Sequence, residues 1–196
     1  MKTSKWIFML ACALMVGMAA SCGEKPVVSP DDEVPPHITP PAPPVEVDPT
    51  YDKGEGVVRL VSYNVGAFNK YTNSIDMIAK MIKELDADIV GLNEVDSCTT
   101  RTGRVDQARK LSERLGGWTP VLATMHPYKE GLYGNAIVMS PDYKLTGEKK
   151  MQLPKVNSSH EIRSCAVAIN DKFVYMATHL EVNSEAARIQ GAQTIT

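Results

Sequence analysis

Two short apolar runs, 57–63 and 88–93, set what this chain can become. Both are rich in β-branched and aliphatic residues, too short for ordinary helices, and finish on polar side chains. Such runs read as strands buried on both faces, the first of them as a central strand. Between them, residues 74–85 place Ile75, Ile78, Ala79, Ile82 and Leu85 at helical spacing, the pattern of an amphipathic helix. Residues 102–115 predict another helix through Ala108, Leu111 and Leu115, closed by Gly116-Gly117. Strand, helix, strand, helix implies a sheet with helical cover, hence an α/β domain.

After Trp118 the pattern turns to strands, predicted over 119–123, 135–140, 144–152, 162–169 and 172–178. Asn170-Asp171 is a tight-turn dipeptide that closes the last two into a hairpin. A final helix begins near Ser184 and carries Ala187, Ile189 and Ala192. A strand meander after alternating elements calls for a mixed sheet.

Residues 23–56 cannot join that core on composition. Nine of the thirteen prolines fall there, with Asp31, Asp32 and Glu33 among them, so a semi-rigid linker is expected before a domain at 57–196. Residues 1–22 read as a targeting segment. Lys2 and Lys5 precede an apolar run from Trp6 to Ala20, and Ala19-Ala20-Ser21-Cys22 follows. A cysteine just after small residues resembles a bacterial lipoprotein signal, which makes Cys22 the lipidation site and places the domain in the cell envelope. Plain secretion and a retained anchor are the alternatives. With Cys12 and Cys22 assigned to this segment, Cys98 and Cys165 remain, and two free, partly buried thiols are favoured over a disulfide. The net charge of −2 does not point to nucleic acid, although a local basic groove is compatible with it.

Three polar clusters stand where strands end, the usual ground for a site in a sheet protein. Ser62-Tyr63-Asn64-Val65-Gly66 follows the first run. Gly91-Leu92-Asn93-Glu94-Val95-Asp96 closes the second. Ala177-Thr178-His179-Leu180-Glu181 ends a late strand. Taken singly, an asparagine there satisfies a turn, a glutamate caps or is solvated, and a lone histidine is structural.

Together with Tyr133-Gly134-Asn135-Ala136-Ile137-Val138 and the trailing Arg188-Ile189-Gln190, these blocks resemble the endonuclease/exonuclease/phosphatase family, in family order over residues 57–196. The resemblance implies a four-layer α/β/β/α sandwich, represented here by its first half to two-thirds. It implies that Glu94 holds a divalent metal, Mg²⁺ or Mn²⁺, and that Asn64 helps orient metal and phosphate. His179 would bind the scissile phosphate, with Tyr133 and Arg163 at the rim. Asn93 stands where the family usually has glutamine. Leu132 stands where abasic-site enzymes have tyrosine, with Tyr133 one place later, and adjacent strand residues face opposite sides. The family's later Asp-x-Asn and Asp-His pairs do not occur after His179, so this stretch is expected to be inactive by itself. The expected function is a lipid-anchored, metal-dependent phosphohydrolase acting on a phosphodiester or phosphomonoester. The alternative is a non-catalytic surface lipoprotein that kept the scaffold. Lipid head groups, nucleic acid and sugar or inositol phosphates all fit as substrates, and oligomeric state is open.

Overall fold

The computed structural model describes residues 42–123, 125–158 and 161–196. The proposed signal segment and Cys22 lie outside them. Two sheets carry the fold. In the first, β1 (Leu60–Asn64) runs parallel to β2 (Ile89–Ser97), and β2 pairs antiparallel with β5 (Gly131–Met139). β3 (Thr119–Leu122) and the short β4 (His126–Tyr128) also pair with β5. In the second sheet, β6 (Gly147–Gln152), β7 (Ser164–Ile169) and β8 (Val174–Thr178) are antiparallel neighbours in sequence order. The helices are α1 (Ser74–Glu84), α2 (Gln107–Arg114) and α3 (Glu185–Ile195).

Side-chain alternation along the strands builds the layers. From β2 and β5, Val90, Leu92, Ala136 and Val138 pack under Ala79 and Ile82 of α1 and Ala108 and Leu111 of α2. The opposite faces send Ile89, Ile137 and Met139 against Ala166, Ala168 and Ala177 of the second sheet. Cys165 and Val167, the alternate residues of β7, pack with Leu153, Leu180 and Ile195 on the α3 side. The order is therefore helix, sheet, sheet, helix, a mixed α/β architecture in agreement with the sequence.

Gly91 shows how closely the sheets approach. A Cβ there would lie 2.8 Å from the Tyr175 hydroxyl and 2.9 Å from the Ala177 Cβ. That hydroxyl donates to the Val61 carbonyl at 2.9 Å, a direct tie from sheet to sheet.

Several expectations need correction. β1 is an edge strand, paired with β2 alone among the described residues, and Leu60 and Tyr63 are exposed. The helix expected over 102–115 is shorter. A 3₁₀ turn at Thr100–Thr102 and left-handed Gly103 precede it, and Asp106 caps α2 by accepting the Arg109 N–H at 3.1 Å. The linker does not stay free up to residue 56. Val45 packs on the helix-side core, and its N–H donates to the Arg114 carbonyl at 2.8 Å. The N–H groups of Thr50 and Tyr51 donate to the Glu84 carbonyl at 2.9 and 3.0 Å. Carbonyls at helix C-termini lack intrahelical partners, and this strap supplies the donors. Cys98 is disulfide-bonded, against the expectation of two free thiols, whereas Cys165 is free and buried.

Candidate active site

Parallel pairing of β1 with β2 brings their C-terminal ends side by side, with Asn64 opposite Asn93. Beyond Asn64 the chain turns through Gly66, Ala67 and Phe68, with φ of 52°, 54° and 48°. Asn64 Oδ1 accepts the Gly66 N–H at 2.9 Å, and Asn64 Nδ2 donates to Glu94 Oε1 at 2.7 Å. The Gly66 donor fixes which end of the amide faces which way. Asn64 therefore turns its nitrogen toward the carboxylate and uses its oxygen on the loop. In this arrangement it orients Glu94.

Glu94 owes its position to a β-bulge. Leu92 pairs with Ala136 and Val95 with Gly134, so Asn93 and Glu94 stand opposite the single residue Asn135. Leu92 and Val95, three residues apart, consequently bury on the same helix-side face. An unbroken strand would have put them on opposite faces. The extra residue is Glu94, held at φ 61°. A left-handed non-glycine residue costs roughly 1–2 kcal/mol, and such strain gathers at functional sites.

Glu94, Tyr133, Arg163 and His179 line one small pocket together with His126 and Glu161. Four of the five sequence-derived site residues thus converge, and Asn64 joins through its bond to Glu94. Arg163 is engaged by carboxylates on two sides, Glu161 at 3.2 Å and buried Glu181 at 3.4 Å. Burial, then the Glu94 and Glu161 charges, push the Tyr133 phenol up to about 12, so it is a hydrogen-bond donor at neutral pH. Burial lowers the His126 imidazole against the pull of Glu161.

Behind the pocket stands a pair that the sequence reading did not single out. Asp96 is fully buried and takes Arg101 Nε and Nη2 at 2.7 Å each, with Thr99 Oγ1 at 2.7 Å and Thr102 Oγ1 at 3.1 Å. Burial raises the carboxyl, but Arg101 and the two hydroxyls outweigh it and hold Asp96 below the ordinary carboxylate range. The Arg101 guanidinium lies over the rings of Tyr128 and Tyr133 at 4.5 and 5.1 Å. His126 meets Tyr133 edge-on at 5.3 Å. Only the spacing of Asp96, two residues past Glu94, hinted at this brace.

Among the described residues no group of three or more His, Cys, Asp or Glu side chains is placed to hold a metal by itself. Of the two carboxylates in the pocket, Glu161 is paired with Arg163, and Glu94 offers a hard oxygen donor. Such a donor is compatible with Mg²⁺, which retains waters and shares its coordination with a phosphate.

No protein-family model and no curated protein sequence matches this chain. Solved structures do. A protein of the endonuclease/exonuclease/phosphatase family from Leptotrichia buccalis superposes with a TM-score of 0.59 at 17% identity, over 71% of this chain and 62% of its own. A mannosyl-6-phosphatase from Bacteroides thetaiotaomicron gives 0.54 at 18%, over 71% and 57%. A family protein from Bacteroides vulgatus gives 0.54 at 21%, over 70% and 58%. The chain thus spans less than two-thirds of the length of these proteins. Over the part it spans, it has the fold of the endonuclease/exonuclease/phosphatase proteins.

Proposed function

We propose that this protein is a metal-dependent phosphohydrolase, held at the outer side of a bacterial membrane by lipid on Cys22. The observation that carries the catalytic reading is the bulge that sets Glu94 in a left-handed conformation, braced by Asn64, in the pocket that His179 also lines. A fold that pays for strain at one carboxylate, beside a histidine and a protonated tyrosine, suits the binding of a charged group. The phosphatase among the structures of like fold supports a phosphate ester as that group.

In this reading Glu94 holds the metal and Asn64 keeps its carboxylate aimed. Mg²⁺, when bound, polarises the phosphoryl oxygens and offsets the charge developing on them. His179 and the neutral Tyr133 hydroxyl serve as hydrogen-bond donors to the phosphate. Arg163 shapes the wall, its charge already balanced by Glu161 and Glu181. The stalk and lipid are proposed from residues 1–41 alone.

The test is hydrolysis of bis-(p-nitrophenyl) phosphate and p-nitrophenyl phosphate with Mg²⁺, with Mn²⁺ and with chelator. It compares residues 23–196, a longer chain carrying any downstream frame, and Glu94→Ala in each. Metal-dependent turnover lost in Glu94→Ala supports the enzyme. Turnover that survives Glu94→Ala removes Glu94 from the chemistry and sinks this assignment of the site, whereas silence from every form favours a non-catalytic binding module. Incorporation of labelled palmitate that vanishes in Cys22→Ser tests the anchor.

A further inference from the structure

Gln107 opens α2, yet its side chain is buried, with 2% of the residue exposed. Its Oε1 accepts the Asp96 N–H at 2.8 Å, and its Nε2 donates to the Ala67 carbonyl at 2.5 Å. These two backbone groups belong to different segments, each holding one member of the Asn64–Glu94 pair. Asp96 lies two residues beyond Glu94, just after the bulge. Ala67 lies three residues beyond Asn64, in the middle of three consecutive left-handed residues.

Neither segment is in a relaxed conformation. Left-handed Ala67 and Phe68 each cost roughly 1–2 kcal/mol, and a bulge interrupts the strand ladder. Something outside them has to hold them. A primary amide presents an acceptor and a donor side by side, which the two backbone groups require. A carboxylate would turn a second acceptor on the Ala67 carbonyl, and an apolar side chain would leave both backbone groups buried without this partner.

We propose that Gln107 is a positioning residue that clips the loop after β1 to β2, and so fixes the Asn64 amide against the Glu94 carboxylate. The proposal rests on the reading of Glu94 as the metal-holding carboxylate. It adds that the aim of this carboxylate is set from α2, through backbone on both sides of it.

The experiment uses the ¹⁵N-labelled chain and follows the Asn64 side-chain amide signal and the exchange rate of the Gly66 N–H. Gln107→Leu is expected to shift the Asn64 signal and to speed Gly66 exchange by about tenfold, as for a lost hydrogen bond of about 1.4 kcal/mol, with β6–β8 unchanged. In a Mg²⁺ titration the midpoint read from Asn64 should rise by a similar factor. Gln107→Glu, nearly isosteric, should fall between Gln107→Leu and the unaltered chain. Leu111→Ala, buried on the same helix, should lower Tm and leave the Asn64 and Gly66 signals in place. The proposal is overturned if both Gln107 variants keep those signals unchanged, if Leu111→Ala moves them equally, or if both Gln107 variants unfold. A chain whose Asn64 signal ignores Mg²⁺ would sink the metal reading instead, while Gly66 exchange would still decide the clip.

Discussion

The two ends of β2 carry carboxylates in opposite circumstances. Asp88, just before the strand, is buried and receives Lys53 Nζ and the Arg59 N–H at 2.7 Å each. About 20 Å further along, six residues at strand rise, Glu94 is half-buried, left-handed and bonded to the Asn64 amide. Around Asp88 the strap caps helix ends. Left-handed Asp86 stands two residues before Asp88, but at the other end the carboxylate-bearing residue Glu94 is itself left-handed, as are Ala67 and Phe68 in the loop after Asn64. One end of the strand pairs charge to close the domain. The other accepts local strain to present a charge, and strain persists only where surrounding contacts over-determine it. The Asp96–Arg101 brace and the Gln107 clip are those contacts.

The sharpest way to break this contrast is Glu94→Gly. Glycine accepts φ 61° without cost, so denaturant unfolding should show a gain of about 1 kcal/mol. In the longer chain used for the activity test, metal-dependent hydrolysis should fall by at least about a hundredfold, as when a preorganised electrostatic group is removed. A variant that stays active, or loses stability, would mean that the bulge is not serving the carboxylate.

Next in size is Asp96→Asn, which leaves Arg101 without its charge partner. Breaking a buried pair costs about 3–5 kcal/mol, and the lower end applies because Arg101 is partly exposed. The folded carboxyl lies below its unfolded value, so its contribution is fully present above the unfolded aspartate range near about 4. It is lost as pH falls from there through the folded value. Stability against pH should therefore lose part of its acid limb in Asp96→Asn, and an unchanged limb would mean the pair does not brace the site.

What the sequence could reveal follows the same divide. Regular periodicity gave α1 nearly to the residue, and Asn170 closes the β7–β8 turn by accepting the Lys172 and Phe173 N–H groups. The chemistry-bearing blocks were legible because Asn64, Glu94 and His179 each follow an apolar run. The bulge was not, since an extra residue inside a strand leaves no mark on hydrophobicity, and β2 was expected to stop at Asn93. β4 was missed because His126-Pro127-Tyr128 has no apolar alternation, and its proline is tolerated outside a sheet interior. The strap was read as spacer because it docks through backbone N–H groups and Val45, which a proline-rich composition conceals. His126 and Glu161 lie in loops or short elements with no pattern, and only the folded chain brings them to Glu94.

The middle of the same strand offers a smaller test. Gly91→Ala would place a methyl group against the Tyr175 hydroxyl and the Ala177 side chain, on faces that hold the two sheets together. Overpacking of this kind costs about 1–3 kcal/mol. Because it acts equally far from both ends, it should lower the thermal midpoint without selectively exposing the Asn64–Glu94 pair. If Gly66 exchange rises more than exchange in β7, the sheets transmit strain to the site and the two ends are not independent.

The smallest effect belongs to the Asp88 end. Lys53→Met removes a charge partner from a buried carboxylate that keeps the Arg59 N–H, so the loss should be about 1–2 kcal/mol, with hydrolysis unaffected. Its pH signature is opposite in sign to that of Asp96. Burial works against the Lys53 ammonium, but Asp88 and Asp86 outweigh it and raise its pKa. A raised base contributes stability fully present below the unfolded lysine value near about 10.4 and lost as pH climbs through the folded value. Lys53→Met should therefore flatten the alkaline limb and leave the acid limb to Asp96. Should Lys53→Met slow hydrolysis as well, the strap would be coupled to the site along β2, and the division between a closing end and a working end would fail.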